Sequence, residues 1–259
     1  IIKSVDNPQI FGECSVIPGL NKDYKSDFQY EAKLNWVCNT FESLYEQLGA
    51  DNLLDFFCKE LVHYPSILFG VEGLFYQLKR CSGKDPFESA FSKGDASIPI
   101  NGLIWMGSID EMKVRVREKI QQGFSVLKFK IGALDFQSEY ELLSQVRKEF
   151  GAALEIRVDA NGAFDAHNVK DVLTKLKEIN IHSIEQPVRP GQSELMRNLS
   201  EDGLVPIALD EELIGIRTIE QKNELLESIR PQYIILKPSL HGGLIGTLEW
   251  ISLARKMDI

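Results

Sequence analysis

The sequence predicts an α/β chain in which a (β/α) barrel of the TIM type follows a smaller α+β region, and three features point there. From Ile98 onward, short apolar or β-branched runs alternate six times with amphipathic helical segments, a pattern that calls for a parallel sheet. No GxGxxG follows the first of those runs, so nothing supports the dinucleotide crevice of an open, doubly wound sheet. Charged residues stand at the C-terminal ends of five consecutive runs. In a barrel those ends open onto one mouth, where active sites are built.

In order along the chain, Ile1 to Val5 and Ile10 to Cys14 read as a short strand pair around the turn signal Asp6-Asn7-Pro8. Helical patterns follow at Glu42 to Leu48, Asn52 to Val62 and Ser66 to Lys79. The Gly-, Ser- and charge-rich CSGKDPFESAFSKGDAS reads as a join, which puts an α+β domain at 1–96 and the barrel at 97–259. The barrel runs are IPINGLIWM, FSVLKFKIG, LEIRVDANG, IHSIEQP, VPIALDEEL and YIILKPS. Between them lie IDEMKVRVREKIQQG, DFQSEYELLSQVRKEF, DAHNVKDVLTKLKEI and TIEQKNELLESI, each with a charged face and an apolar stripe. A closed barrel of this type has eight strands. The chain opens without Met on IIKSVDNPQIFGE and stops within a helical pattern, LEWISLARKMDI. It is therefore expected to be a fragment; as a whole polypeptide it would be a damaged barrel with little turnover.

Composition narrows the function classes. With 259 residues, 44% hydrophobic and 26% charged, the chain has room for one large domain and a smaller one. Its formal charge of -9, with no block of Lys and Arg and no basic patch interleaved with aromatics, argues against a nucleic-acid partner. No apolar run approaches the roughly 20 residues that a membrane span needs, so no membrane partner is expected. Cys14, Cys38, Cys58 and Cys81 form no CxxC and have no His pair at zinc spacing. They read as reduced packing residues of a cytoplasmic protein.

The charged strand ends carry the chemistry. In SVLKFKIG, Lys128 and Lys130 point to one face of an extended strand, with Leu127, Phe129 and Ile131 on the other. Asp159 (VDANG), Glu185 (IEQP), Asp210 (LDEEL) and Lys237 (LKPS) follow, each one βα unit after the last. Singly, each has an ordinary explanation: lysines blunt a sheet edge, Asp159 makes an Asx turn, Glu185 is a strand-end charge before proline, and Asp210 starts a helix. Five such coincidences in succession outweigh those explanations.

Three converging carboxylates repel one another unless a cation sits between them, and an all-oxygen site selects Mg²⁺ or Mn²⁺, which can chelate the carboxylate of a small-molecule substrate. Lysines beside such a cation are expected to have lowered pKa values and to act as bases. The set implies removal of a proton next to a carboxylate, an arrangement already described for enolase-type sites with a Lys base and Mg²⁺. Asn161 and Glu211 are candidates for supporting roles; Glu212 is equally placed to orient a lysine. His63, His167, His182 and His241 are scattered, and loop or packing roles suit them better than general-base work.

KFK, DANG, IEQP, LDEE and LKPS, in this order and spacing, resemble the muconate-lactonizing subgroup of the enolase superfamily over essentially the whole chain. That resemblance implies Asp159, Glu185 and Asp210 as Mg²⁺ ligands, Lys130 as acid/base, Lys237 as the opposing cation and Lys128 as its support. Softer likenesses in GECSVIPGL, SILFGVEGLFYQL, INGLIWMG and KPSLHGG point within it to the o-succinylbenzoate synthase family. There the early segment is a capping domain whose loop, here about Gly19 to Lys25, closes over the mouth. The activity implied is Mg²⁺-dependent dehydration of a 2-succinyl-6-hydroxycyclohexadiene carboxylate to 2-succinylbenzoate in menaquinone biosynthesis. N-acylamino acid racemases, dipeptide epimerases and muconate cycloisomerases share every one of these residues, and a truncated, non-catalytic homologue stays open as well.

Overall fold

Near the N-terminus lies a two-stranded antiparallel pair, β1 (Ile2–Lys3) and β2 (Phe11–Gly12). The expected Asp6-Asn7-Pro8 turn falls outside the residues described by this computed structural model, which are 2–3, 10–81, 83 and 87–259. Helix α1 (Asp27–Glu60) begins well before the helical stretch expected from Glu42, because Ser26 caps it by accepting from the Gln29 N–H. Its first half buries only Tyr30 and Val37, too few to make a stripe legible in the sequence. Gly49, with φ of 71° and ψ of 170°, breaks the helix where the two expected stretches were separate. Helix α2 (Pro65–Cys81) opens on proline, whose missing N–H costs nothing in a first turn, and buries Ile67, Leu68, Val71, Leu74 and Phe75. These side chains pack with Leu53, Phe57 and Leu61 into one apolar core. A short helix, α3 (Ala90–Lys93), carries a capping box of Ser89 and Ser92 within the joining segment.

Strands and helices then alternate. In order they are β3 (Gly102–Ile104), α4 (Ile109–Gln121), β4 (Val126–Lys130), α5 (Phe136–Phe150), β5 (Glu155–Asp159), α6 (Val169–Glu178) and β6 (Ser183–Glu185). There follow α7 (Ser193–Asp202), β7 (Ile207–Leu209), α8 (Ile219–Ile229), β8 (Tyr233–Ile234) and α9 (Gly243–Lys256). Strands β3 to β8 form one six-stranded sheet in sequence order, every pair parallel. An open doubly wound sheet reverses its order at a switch point; this one never does, and it is a stretch of (β/α) barrel wall. The β3 strand is shorter than the IPINGLIWM run, and α7 is a helix not singled out in the sequence.

Period two governs the wall. Leu127 and Phe129 are fully buried, as are Ile156 and Val158, and the apolar faces of α4 and α5 supply Met112, Val116, Leu142, Leu143 and Val146 to the core. Lys128, Lys130 and Asp159 take the alternate positions and face the other way. The chain divides into two compact units: 1–97 with 214–222 and 236–253, and 98–213 with 223–235 and 254–259.

All four cysteines are free thiols, and burial pushes Cys14 and Cys58 up to about 11 and about 12, which suits packing rather than reactivity. Among the described residues, no helix is long and apolar enough to cross a membrane.

Within the first unit, the fully buried Glu72 of α2 accepts hydrogen bonds from the backbone N–H of Leu244 and, at 3.0 Å, of Ile245, in the first turn of α9. A Cβ on Gly243 would collide with this carboxylate, and Gly243 has φ of +72°; only glycine suits that corner. Burial pushes Glu72 up to about 7, although both N–H donors pull it down. The folded chain thus keeps a proton that the unfolded chain has released. The stability tied to that proton is full below about pH 4.5 and is lost as pH rises through about 7, a fall of at most about 3 kcal/mol. Glu72→Gln cannot titrate and is expected to flatten that part of the profile in urea melts; an unchanged slope would show that another group is responsible.

Candidate active site

Three charged residues share one level of the sheet. Lys130 pairs with Asp159 and Asp159 with Glu185 in the strand register, so their side chains emerge side by side from the C-terminal ends of β4, β5 and β6. The next strand is staggered: Glu185 pairs with Ala208, which leaves Asp210 two residues further along, beyond the end of β7. Such a stagger is what closing a barrel requires.

Contacts among these groups are short. Asp159 Oδ2 takes the Lys130 ammonium at 2.5 Å and the Lys128 ammonium at 2.9 Å, while Lys128 also reaches Glu185 Oε2 at 2.5 Å. Asp159 is fully buried, and the lysine side chains keep 14% (Lys130) and 20% (Lys128) of their exposure. One carboxylate between them therefore relieves the repulsion of two ammonium groups on one face.

Electrostatics follow from this crowding. Burial, and then the Asp159 charge beside it, push Glu185 up to about 8. Asp159 is itself buried, yet its hydrogen bond with Glu185 and the Lys130 and Lys128 ammoniums hold it below the usual carboxylate range. The lowered value expected for a lysine beside a divalent cation is a separate matter from Lys128 between the two carboxylates alone, where the direction is upward. Burial alone would lower it, but Glu185 and Asp159 outweigh burial and hold its ammonium above the ordinary lysine value. The two carboxylates thus favour the charged form of Lys128.

Asn161 organises the Lys130 side of the cluster. Its backbone lies in the left-handed region, with φ of 45°, a conformation that asparagine tolerates better than most residues. Its N–H donates to Asp159 Oδ1 at 3.1 Å, its Oδ1 accepts from Lys130 Nζ at 2.7 Å, and its Nδ2 donates to Glu211 Oε1 at 2.7 Å. A chain Glu211–Asn161–Lys130–Asp159 results, so of the two residues singled out for supporting roles Asn161 contacts the lysine and Glu211 holds Asn161. The turn after β4 is held separately by buried Glu139, which accepts from the N–H groups of Gly132 and Leu134 at 2.7 and 3.1 Å.

Asp210 is fully buried, and its backbone N–H donates to Gln186 Oε1 at 3.2 Å. Among the described residues, no group of three or more His, Cys, Asp or Glu donors stands arranged around a common metal position. Asp159 and Glu185 are instead bridged by the Lys128 ammonium. Lys237 packs with the first unit, where its backbone N–H donates to His241 Nδ1 at 2.9 Å and its carbonyl accepts from Leu240. His182 stacks on Tyr233, with ring centroids 5.3 Å apart.

Sequence reasoning did not single out Trp105. Its ring centroid lies 5.8 Å from Lys130 Nζ, and the side chain is half exposed. The strand register supplies what the sequence lacks: Leu103 pairs with Lys128, so Trp105, two residues on, has the parity of Lys130. As a set, these groups can hold a proton at Lys130, keep positive charge at Lys128 and offer oxygen donors from consecutive strand ends.

Residues 111–259 match the family described as Enolase C-terminal domain-like. The chain is 39% identical to the o-succinylbenzoate synthase of Desulfotalea psychrophila, over 96% of this chain and 73% of that protein. It is 27% identical to the L-Ala-D/L-Glu epimerase of Bacillus subtilis, over 60% of this chain and 42% of that protein. Among solved structures, MenC from Desulfotalea psychrophila LSv54 matches with a TM-score of 0.81 at 37% identity, over 96% of this chain and 74% of that one.

Proposed function

The chain belongs to the enolase superfamily, and from that membership we propose that it is an o-succinylbenzoate synthase. It dehydrates 2-succinyl-6-hydroxy-2,4-cyclohexadiene-1-carboxylate to 2-succinylbenzoate in menaquinone biosynthesis, as a cytoplasmic enzyme with a capping domain over 1–96 and a barrel domain over 97–259. Likeness to the synthase runs over nearly the whole chain, and likeness to the epimerase over three fifths of it, which favours dehydration over racemisation. The observation that carries the chemistry is the level row of Lys130, Asp159 and Glu185 on adjacent strands.

Lys130, as free amine, removes the ring proton α to the carboxylate. The electron pair left behind passes first into the carboxylate and then forms the new ring double bond as the neighbouring C–O bond breaks. The Lys130 ammonium returns its proton to the departing hydroxyl, which leaves as water, so charge and protons balance and the ring becomes aromatic. Asn161, anchored on Glu211, accepts from Lys130 Nζ and aims it. Lys128 supports it as a positive charge, and Lys237 acts as the opposing cation for the charge delocalised over the ring.

Asp159, Glu185 and Asp210 would hold Mg²⁺, or Mn²⁺ in its place. The residues suit a hard cation: Glu185 Oε1 is buried with no hydrogen-bond partner, and burial first, then the Asp159 carboxylate beside it, push Glu185 up to about 8; the second of these is a repulsion that a cation relieves. Bound there, the ion supplies positive charge to the substrate carboxylate as negative charge develops on it.

The test is to give the full-length protein the cyclohexadiene substrate with Mg²⁺ and follow the loss of its absorbance. Formation of 2-succinylbenzoate is the expected result. No turnover, together with exchange of the α-proton of N-succinyl amino acids, would replace this reading with a racemase. Calorimetry that shows no Mg²⁺ binding would instead indicate a non-catalytic homologue.

A further inference from the structure

We propose that Gln186 is a positioning residue that sets the spacing of Asp159, Glu185 and Asp210, and through that spacing the affinity of the site for a divalent cation. The inference rests on the reading that these three carboxylates take such a cation.

Gln186 follows Glu185 directly and is fully buried. Its backbone lies in the left-handed region, with φ of 40°, which a residue with a long side chain adopts at a cost in strain. Its main chain ties the turn it occupies to both neighbours: the N–H donates to Ala208 O at 2.9 Å, and the carbonyl accepts from Gly162 N at 2.7 Å. Gly162 lies in the turn after Asp159, and Ala208 precedes Asp210 by two residues. One residue thus links the three strand ends that carry the carboxylates.

The side chain completes the link. Oε1 accepts from the N–H groups of Asp210 and Glu212 at 3.2 and 3.1 Å. Nε2 donates to Val188 O at 2.9 Å and to Glu212 Oε2 at 3.2 Å, and Glu212 in turn accepts from Gly191 N at 2.9 Å through Oε1. Two acceptances and two donations saturate an amide side chain. A carboxylate at this position would lose both donations and face Glu212; an apolar side chain would lose all four bonds. Fully satisfied buried networks of this kind rigidify what they connect, and here they connect cation ligands rather than apolar core. Removing such an outer partner typically weakens metal binding 10- to 100-fold.

Gln186→Met, of similar length and without polar side-chain donors or acceptors of that strength, is titrated with Mg²⁺ by calorimetry beside the wild type, both as full-length folded protein. The expected result is a dissociation constant at least tenfold weaker in the variant, with kcat recovering at saturating Mg²⁺ while the Mg²⁺ concentration for half-activity rises. A residue that only holds a turn would lower the melting temperature and leave both quantities alone. A folded variant within twofold of the wild-type dissociation constant overturns the inference. If Gln186→Met does not fold, Gln186→Asn is read in the same way: it is neutral, tolerates the left-handed backbone, and is one methylene too short to keep all four bonds. Wild type that binds no Mg²⁺ overturns the proposed function instead, so the two failures are distinct.

Discussion

Lys130→Ala is expected to cut kcat by at least the 10²- to 10⁴-fold associated with loss of a general acid/base, without unfolding the chain. Asp159 keeps Lys128 at 2.9 Å and the Asn161 N–H at 3.1 Å when Lys130 is removed, so the buried carboxylate is not left bare. Lys130→Arg sharpens the test. A guanidinium preserves the positive charge beside Asp159 but cannot give up its proton near neutral pH. If Lys130 serves as a charge, arginine substitutes for it; if it moves a proton, arginine is as inactive as alanine. The second outcome is expected, with Mg²⁺ affinity near wild type and an unchanged circular dichroism spectrum. Turnover retained by the arginine variant would remove Lys130 from the proton-transfer role.

Asp159→Ala is expected to do more damage to the fold than any other single change in the site. It leaves the Lys128 and Lys130 ammoniums, both largely buried, facing each other with Glu185 as the remaining counter-charge within reach of Lys128. Breaking one side of a buried ion pair costs about 3–5 kcal/mol, because a charge is stranded rather than because the pair was strong. Chemical denaturation measures the loss, and calorimetry is expected to show Mg²⁺ binding abolished. If stranded charge is the cause, Lys130→Ala in the Asp159→Ala background recovers part of the stability, and the double variant loses less than the sum of the singles. Strict additivity would mean that the two side chains act independently, against the 2.5 Å contact between them.

Much of this molecule is legible without coordinates. The six alternations after Ile98 correspond one for one to β3 through β8, and the alternation in SVLKFKIG sorts Leu127 and Phe129 from Lys128 and Lys130 as the structure does. The start of α1 was not legible, because its first half buries only Tyr30 and Val37 and rests on the Ser26 cap. Nor was Gln186, whose partners lie up to 26 residues away and whose side chain carries no charge to mark it as functional.

The sequence by itself determined the strand order, the face on which each residue stands and the charged strand ends. These follow from local geometry: side chains alternate every two residues, and the βα repeat forces parallel neighbours. Only the tertiary structure decided the partners and the charge states. The stagger that carries Asp210 past the level of Glu185 is a property of the sheet as a whole. The upward shift of Lys128 arises from two carboxylates on other strands. A pKa depends on groups a few ångströms away in space, and in a barrel those groups are a whole βα unit away along the chain.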